Sequence, residues 1–220
     1  MHDITKAGKA DHRTPFLCAR YQDYALWFEG MGWDLPRTDA MMAGRENTRY
    51  ADICGEDIAA MEGLGWEFTD EPVCFTATCG CSALVFASAW AAPMRTEDKQ
   101  AGCNLSYAVD AGHEGRALAT LLSCLAFLAC DQQHRGLRFA NIESRADNLA
   151  SLALARSLGF APYPEGDFTM PVAGRADEVP FHCLRAEPEA LRLRAHRILQ
   201  DKGLGRLSAL IPPVRPRRGR

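Results

Sequence analysis

The sequence predicts an α/β (α+β) fold in which a mixed, mostly antiparallel sheet is flanked by helices. Residues 73–78, 83–90 and 104–110 are β-type runs separated by turn-forming residues, which is typical of an antiparallel meander. A long apolar helix and a further strand follow, and a strand, a helix and a strand make one βαβ crossover. With 220 residues, 47% of them hydrophobic, the chain can bury one good core.

The segment before the meander predicts helices. Residues 1–12 are polar without apolar periodicity, so we expect a flexible leader, followed by a single domain over 13–187 whose motif-bearing core is 73–187. From 16 to 33, aromatic and aliphatic residues recur at roughly helical spacing and predict a helix. Residues 56–64 begin with acidic side chains and predict a second, short helix.

Two helices separated by a strand follow the meander. Leucines at helical spacing predict a helix over 115–131, and the next apolar run predicts a strand over 137–144. The second helix is predicted over 148–158. It opens at Asn148, whose side chain suits an N-cap, and it stops at Gly159, where a left-handed C-cap fits.

The C-terminal part is predicted to add the last strands of the sheet, followed by a helix and a tail that lie outside the sheet. Strands are expected near 166–171 and 179–187; earlier in the chain, a loop over 93–102 is expected between the second and third β-type runs. Within 188–220, an amphipathic run predicts a docked C-terminal helix. The residues from 212 onward are rich in Pro and Arg and predict a disordered basic tail, because they cannot pack a core.

Composition excludes several classes of protein. The net charge of −3 gives no basic excess for nucleic acid or anionic lipid, so a nucleic-acid contact is expected only through the basic tail. No apolar run is long enough to span a bilayer, and no signal-peptide pattern opens the chain. The nine scattered cysteines favour a reducing, cytoplasmic location. We expect no membrane partner, and a homodimer is one assembly that the sequence allows.

Three cysteines could be mistaken for metal ligands. Cys74, Cys79 and Cys81 form a C-x4-C-x-C pattern, but no matching Cys/His pair follows downstream. They are interpreted as core and turn cysteines, and no metal is expected.

The turn between the third β-type run and the long helix carries the first functional motif. It consists of Gly112, His113, Glu114, Gly115, Arg116 and Ala117. Small residues let a phosphate approach the backbone, and a helix N-terminus offers unpaired N–H groups and a favourable dipole. A Gly-rich turn also occurs in many folds simply as a turn, so a second signal is needed.

The second signal lies one strand later and comprises Asn148, Ser151, Leu154, Gly159 and Phe160. In this order and at this separation, the two motifs resemble those of the GNAT superfamily of acetyl-CoA-dependent N-acetyltransferases. The resemblance covers about residues 73–187. With Tyr107 upstream, the Asn-x-x-Ser form is most similar to the ribosomal-protein alanine N-acetyltransferase branch.

The resemblance implies acetyl-CoA as acyl donor and a GNAT-like sheet. The pantetheine arm would lie along the strand at Ala108 and Val109, the pyrophosphate in the loop 112–117, and the cofactor arm against Asn148 and Ser151. Gly115 and Ala117 match the family's loop pattern, whereas Gly112 stands where Gln or Arg is usual. His113, Glu114 and Arg116 would contribute mainly backbone N–H groups. The family's oxyanion donor would be a backbone N–H freed by a strand bulge near Val109.

Acetyl transfer to an amine needs a base and a proton donor for the departing thiolate. Many relatives place a tyrosine donor where this chain has Ala155. Ser151 is the best substitute, and Tyr107 is a second candidate; a serine in a first helical turn can also simply bond to the backbone. Glu143 is the candidate base, since burial would raise its pKa, although it could equally be a solvated strand-end glutamate.

These motifs do not identify the acceptor. An N-acetyltransferase acting on a protein N-terminus, a lysine or a small amine is the first hypothesis, with direct transfer in a ternary complex. An aminoacyl-tRNA-acetylating, toxin-like transferase would need a basic surface that only the tail supplies. A non-catalytic acyl-CoA-binding module is the third alternative, because the usual tyrosine is missing.

Overall fold

Strands with apolar side chains on both faces, and one helix that is apolar almost all round, organise the fold. The computed structural model describes residues 15–32, 65–80, 82, 84–171 and 176–207. The predicted leader, the helix over 56–64 and the tail from 212 lie outside the described residues.

The elements follow one another in chain order as strands, a helix, and alternating strands and helices. They are β1 Phe16–Tyr21, β2 Tyr24–Met31, β3 Glu67–Phe68, β4 Val73–Cys79, β5 Val85–Arg95, β6 Ala101–Val109, α1 Leu118–Gln133, β7 Phe139–Arg145, α2 Leu149–Leu158, β8 Ala161–Pro162, β9 Phe168–Met170, β10 Val179–Ala186 and α3 Pro188–Asp201. The crossover, both later helices and the C-terminal helix are confirmed.

The strands form a ten-stranded mixed sheet. Its order is β1-β2-β4-β5-β6-β7-β10-β8, with β3 paired to β5 and β9 paired to β10. Neighbours are antiparallel except β6 and β7, which are parallel because α1 carries the chain across between them. The predicted mostly antiparallel sheet is therefore confirmed, and its single described parallel pair lies at its centre.

The predicted helix over 16–33 is wrong, because this segment forms the hairpin of β1 and β2. A two-residue turn joins them, with Gln22 at φ 53, and Tyr21 pairs with Tyr24. β2 is largely buried on both faces, because Ala25 and the partly buried Trp27 alternate with residues of the core cluster. A strand that is apolar on both faces lacks the clean alternation that separates strand from helix patterns.

The predicted loop over 93–102 is also shorter than expected. β5 continues to Arg95, which pairs with Ala101, so the turn spans only 96–100. Pro93 has no N–H to donate, but its carbonyl accepts a hydrogen bond from the Thr69 N–H at 3.0 Å, so it still takes part in the sheet.

The core lies between one face of the sheet and the helices. α1 buries twelve of its 16 residues and packs against β4, β5, β6 and α3. The α1-facing positions of β5 are Ala87, Ala89 and Ala91, all fully buried, and their small side chains let the helix approach closely. We call the sheet face that carries α1 the helical face, and the opposite face, on which no α-helix of the described residues packs, the open face.

Candidate active site

The centre of the sheet opens where β6 and β7 part. Their parallel pairing joins only Gly102–Asn104 to residues 139–141, yet β6 continues to Val109 and β7 to Arg145. Beyond Asn104, no strand in the described part of the chain pairs with the β7 side of β6. Backbone N–H and C=O groups along that edge can therefore receive a ligand in strand-like fashion.

The bulge expected near Val109 is absent from the pairing of β5 with β6. Their register runs from Arg95↔Ala101 to Ala87↔Val109 without a shift. At this end of β6 the separation from β7 leaves β5 as the strand partner among the described residues.

The loop from β6 into α1 has the shape of an anion cradle. Gly112, Gly115 and Ala117 have φ values of 86°, 71° and 61°, so α1 begins at Leu118 rather than at the predicted residue 115. No side chain caps the first turn of α1, and that turn holds no acidic residue. A Cβ added at either glycine would meet nothing within 4 Å, so space lies open beside the loop backbone. Uncapped N–H groups next to open space suit a phosphate.

The side chain of His113 anchors this loop to the sheet. Its Nδ1 lies 2.7 Å from the Tyr24 hydroxyl, and its ring stacks on Phe86 with centroids 4.2 Å apart. The Arg116 guanidinium lies 5.9 Å from the Tyr24 ring centroid. Sequence analysis assigned His113 a backbone role and missed Tyr24 because it placed that residue on a helix. Glu114 is exposed.

Ser151 and Tyr107 form a hydroxyl pair at the helical face of the opening. Their oxygens are 2.7 Å apart, and the Tyr107 hydroxyl also donates to the Ser151 carbonyl at 3.1 Å. Asn148 is the N-cap of α2, and its Oδ1 accepts from the Ser151 N–H at 3.2 Å. Because Asn148 performs the capping, the Ser151 hydroxyl bonds to Tyr107 rather than to its own helix. The two predicted proton donors thus lie together.

Ala155, the position at which the resemblance would place a tyrosine donor, is fully buried on α2. It packs in the same core cluster as Leu152 and Leu158. The position therefore supports the helix against the core.

Glu143 lies on the open face and is partly buried. Burial raises its pKa from 4.5 to about 7, while a hydrogen bond from the Asn104 side chain, contacts with its own backbone and with Cys183, and the charge of Arg185 act in the opposite direction. The Cys183 thiol, whose own pKa is raised by burial, donates to Oε1 over 3.8 Å. The carboxylate is thus poised to exchange a proton near neutral pH.

The hydroxyl pair and the carboxylate lie on opposite faces of the sheet. Tyr107 belongs to the core cluster beside α1, as does Ile142 of β7, whereas Glu143 follows Ile142 and points the other way. Between them runs the gap of β6 and β7. One reactant could therefore lie against the helical face and the other against the open face, and they would meet in the gap.

The described residues contain no group of three or more His, Cys, Asp or Glu side chains arranged to hold a metal ion. Cys74 is buried in β4 and Cys79 ends that strand partly buried; Cys81 lies outside the described residues. Within the same part of the chain, no helix is both long and apolar enough to cross a membrane.

This sheet and its helices are the fold of the GNAT acetyltransferases. The crystal structure of an N-acetyltransferase from Staphylococcus aureus Mu50 matches 80% of this chain and 99% of its own, at 16% identity and a TM-score of 0.50. A ribosomal-protein-alanine N-acetyltransferase from Brucella melitensis matches 70% of this chain and 78% of its own, at 17% identity and a TM-score of 0.45. A ribosomal L7/L12 alpha-N-protein acetyltransferase in complex with coenzyme A matches 80% of this chain and 99% of its own, at 12% identity and a TM-score of 0.47.

No family model matches the chain, and no curated protein matches it. The Staphylococcus aureus structure, at 16% identity, establishes the likeness of fold. The predicted resemblance to the GNAT superfamily is confirmed at that level.

Proposed function

We propose that this protein is an acetyl-CoA-dependent N-acetyltransferase that moves the acetyl group directly to a primary amine in a ternary complex. One observation carries the proposal: β6 and β7 separate beyond Asn104, with a hydroxyl pair on one side of the gap and a titratable carboxylate on the other. Acyl transfer to an amine needs a donor and a base on the two sides of the reacting carbon.

The helical face would hold the cofactor. The uncapped loop 112–117 would bind its pyrophosphate. Ala108 and Val109 would lie along the pantetheine arm, with the backbone groups of Val109 directed toward the separated edge of β6, because those of Ala108 face β5. Asn148 fixes the turn of α2 that presents Ser151. When bound, acetyl-CoA supplies the activated acetyl group as a thioester.

Glu143 would accept a proton from the acceptor amine on the open face. With a pKa of about 7, a substantial fraction is ionised at neutral pH, and the carboxylate is basic enough to take up a proton there. The amine nitrogen then forms its bond to the acetyl carbon, and backbone N–H groups along the separated edge of β6 stabilise the oxyanion.

The hydroxyl pair would protonate the leaving sulfur as the carbon–sulfur bond breaks. Ser151 and Tyr107 share a hydrogen bond, so either can donate while the other replaces the proton. This arrangement would compensate for the alanine at position 155. The acceptor would be a protein N-terminus, a lysine or a small amine.

Two assays on the whole protein test the proposal. Calorimetric titration measures binding of acetyl-CoA and of CoA, and a thiol-release assay measures turnover with N-terminal peptides, lysine peptides, small amines and aminoacyl-tRNA. We expect saturable binding and amine-dependent thiol release. Binding without release for any acceptor would favour the non-catalytic module, release only with aminoacyl-tRNA would favour the toxin-like transferase, and absence of binding would contradict the cofactor assignment.

A further inference from the structure

Arg185 of β10 is held rigidly on the open face. Its guanidinium carbon lies 3.6 Å from the Tyr163 ring centroid and 4.2 Å from that of Phe139. Its Nε donates to Asn141 Oδ1 at 2.9 Å. Gly102 lets Phe139 take this place, because a Cβ there would lie 2.3 Å from the Phe139 ring. Two aromatic contacts and one hydrogen bond fix the plane of the cation.

Most N–H donors of the Arg185 guanidinium make no hydrogen bond to the described residues. Its Nη1 and Nη2 groups have no hydrogen-bond partner among the described residues, and Asn141 Nδ2 is buried without one. A preorganised guanidinium end matches the two oxygens of a carboxylate, and such charge-assisted bonds are the strong ones. Arg185 and Asn141 together therefore have more N–H donors than the described residues around them have acceptors.

Arg185 also lies beside the place where the amine would react. It pairs with Asn141, and Asn141 pairs with Asn104, the last residue before the gap. Glu143 and Cys183 form the next pair on the same face, and the Arg185 charge acts on the Glu143 carboxylate. Diagonal neighbours of this kind have Cα atoms about 7–8 Å apart, which long side chains span easily.

Other polar side chains of the open face are buried. Buried polar residues alternate with the core residues of β4, β5, β6 and β7, so they point away from α1. They are Thr76, Ser88, Asn104 and Asn141.

We infer that the acceptor amine carries a carboxylate a few bonds away and that Arg185 binds that carboxylate while Glu143 faces the amine. The inference rests on the proposed function. An α-amino acid and a peptide with an acidic residue next to its free N-terminus share this chemistry, and the test separates them.

The test compares acceptor pairs in which an amide replaces the carboxylate, over a pH series that corrects the alanine pair for the lower amine pKa of alaninamide. One pair is alanine and alaninamide, and the other is the dipeptide amides Ala-Asp and Ala-Asn. Thiol release with acetyl-CoA gives kcat/KM for each acceptor in the wild type, in Arg185→Met and in Arg185→Lys. The matched control is Arg197→Met, which removes an exposed arginine of α3 and the same charge. Methionine keeps favourable contact with the two rings, and circular dichroism verifies folding.

The wild type should prefer the carboxylate member of at least one pair by about tenfold or more, mainly through KM, and the preferred pair names the acceptor class. The ratio should fall by about tenfold in Arg185→Met, stay intermediate in Arg185→Lys, and remain at its wild-type value in Arg197→Met. An effect of Arg185 exerted only on Glu143 would change both members of a pair alike, because both use the same base.

Equal use of both members by the wild type would overturn the inference while leaving the transferase function standing. A preference that persists in Arg185→Met would do the same. If acetyl-CoA binds but no amine in any class is acetylated, both the inference and the proposed function fail.

Discussion

The two faces of the sheet at the β6–β7 gap are built in different ways. On the helical face, Tyr107, the loop 112–117 and Ser151 come from one continuous stretch of about 45 residues that runs from β6 through α1 and β7 into α2. On the open face, Asn104, Glu143 and Arg185 come from three strands and meet only through their register. The difference teaches that a cofactor side can be encoded locally, whereas an acceptor side depends on strand alignment.

The largest expected effect comes from removing the candidate general base, which should impair the open face and leave cofactor binding on the helical face intact. Glu143→Gln should lower kcat by about 10²–10³-fold, since general base catalysis contributes that much, while the Kd for CoA stays the same. The wild-type rate should rise with pH up to about 7, where the carboxylate loses its proton, and this limb should vanish in the variant. Exposed Glu165→Gln is the control. Wild-type turnover in Glu143→Gln would remove the assignment.

The next largest effect concerns cofactor binding on the helical face. Gly115→Val should weaken CoA binding by on the order of 100-fold, because the side chain fills the open space beside the loop backbone and φ 71° strains a β-branched residue. Gly136→Val is a matched control, since Gly136 also has a positive φ and open space around it but lies outside the loop. Calorimetry measures both. Equal Kd values for the two variants would displace the pyrophosphate from this loop.

A stability measurement probes the open face without substrate. Because the folded-state pKa of Glu143 is about 7 rather than 4.5, the folded protein holds this proton more tightly than the unfolded chain does. The wild type should therefore lose on the order of 2–3 kcal/mol of unfolding free energy, relative to Glu143→Gln, as pH rises from about 4.5 to above 7. Urea denaturation of both proteins at pH 5 and pH 8 gives the difference. A pH-independent difference would mean that the carboxylate is well solvated.

The smallest effect concerns the hydroxyl pair. Ser151→Ala and Tyr107→Phe should each lower kcat by about tenfold with little change in the Kd for CoA, because either hydroxyl can partly serve as donor. Their effects should not multiply in the double variant, since the two oxygens share one hydrogen bond. Stopped-flow thiol release measures all three proteins. Fully multiplicative losses would indicate that the two hydroxyls act independently.

Sequence reasoning succeeded where one segment sets the outcome. The N-cap at Asn148 and the left-handed Gly159 fix the ends of α2, and both follow from local backbone preferences. It failed for 16–33, where a strand buried on both faces has aromatic residues at spacings that also fit a helix.

The same distinction holds within the candidate site. Positive φ values at Gly115 and Ala117 delay the start of α1 in a way that the apolar spacing does not indicate. Arg185 and Asn141 gave no local signal, because their meaning depends on the pairing of β10 with β7 and on the ring of Phe139. Polar residues in the middle of apolar strands, such as Asn104 and Asn141, are the signal that could have located the open face.

Amide hydrogen exchange with and without acetyl-CoA tests the central claim most directly, because it reports both binding and its place. The account predicts slower exchange along residues 105–109 of β6, in the loop 112–117 and at the start of α2, with no change in the β1–β2 hairpin. Protection confined to other segments, or no protection at saturating acetyl-CoA, would contradict it.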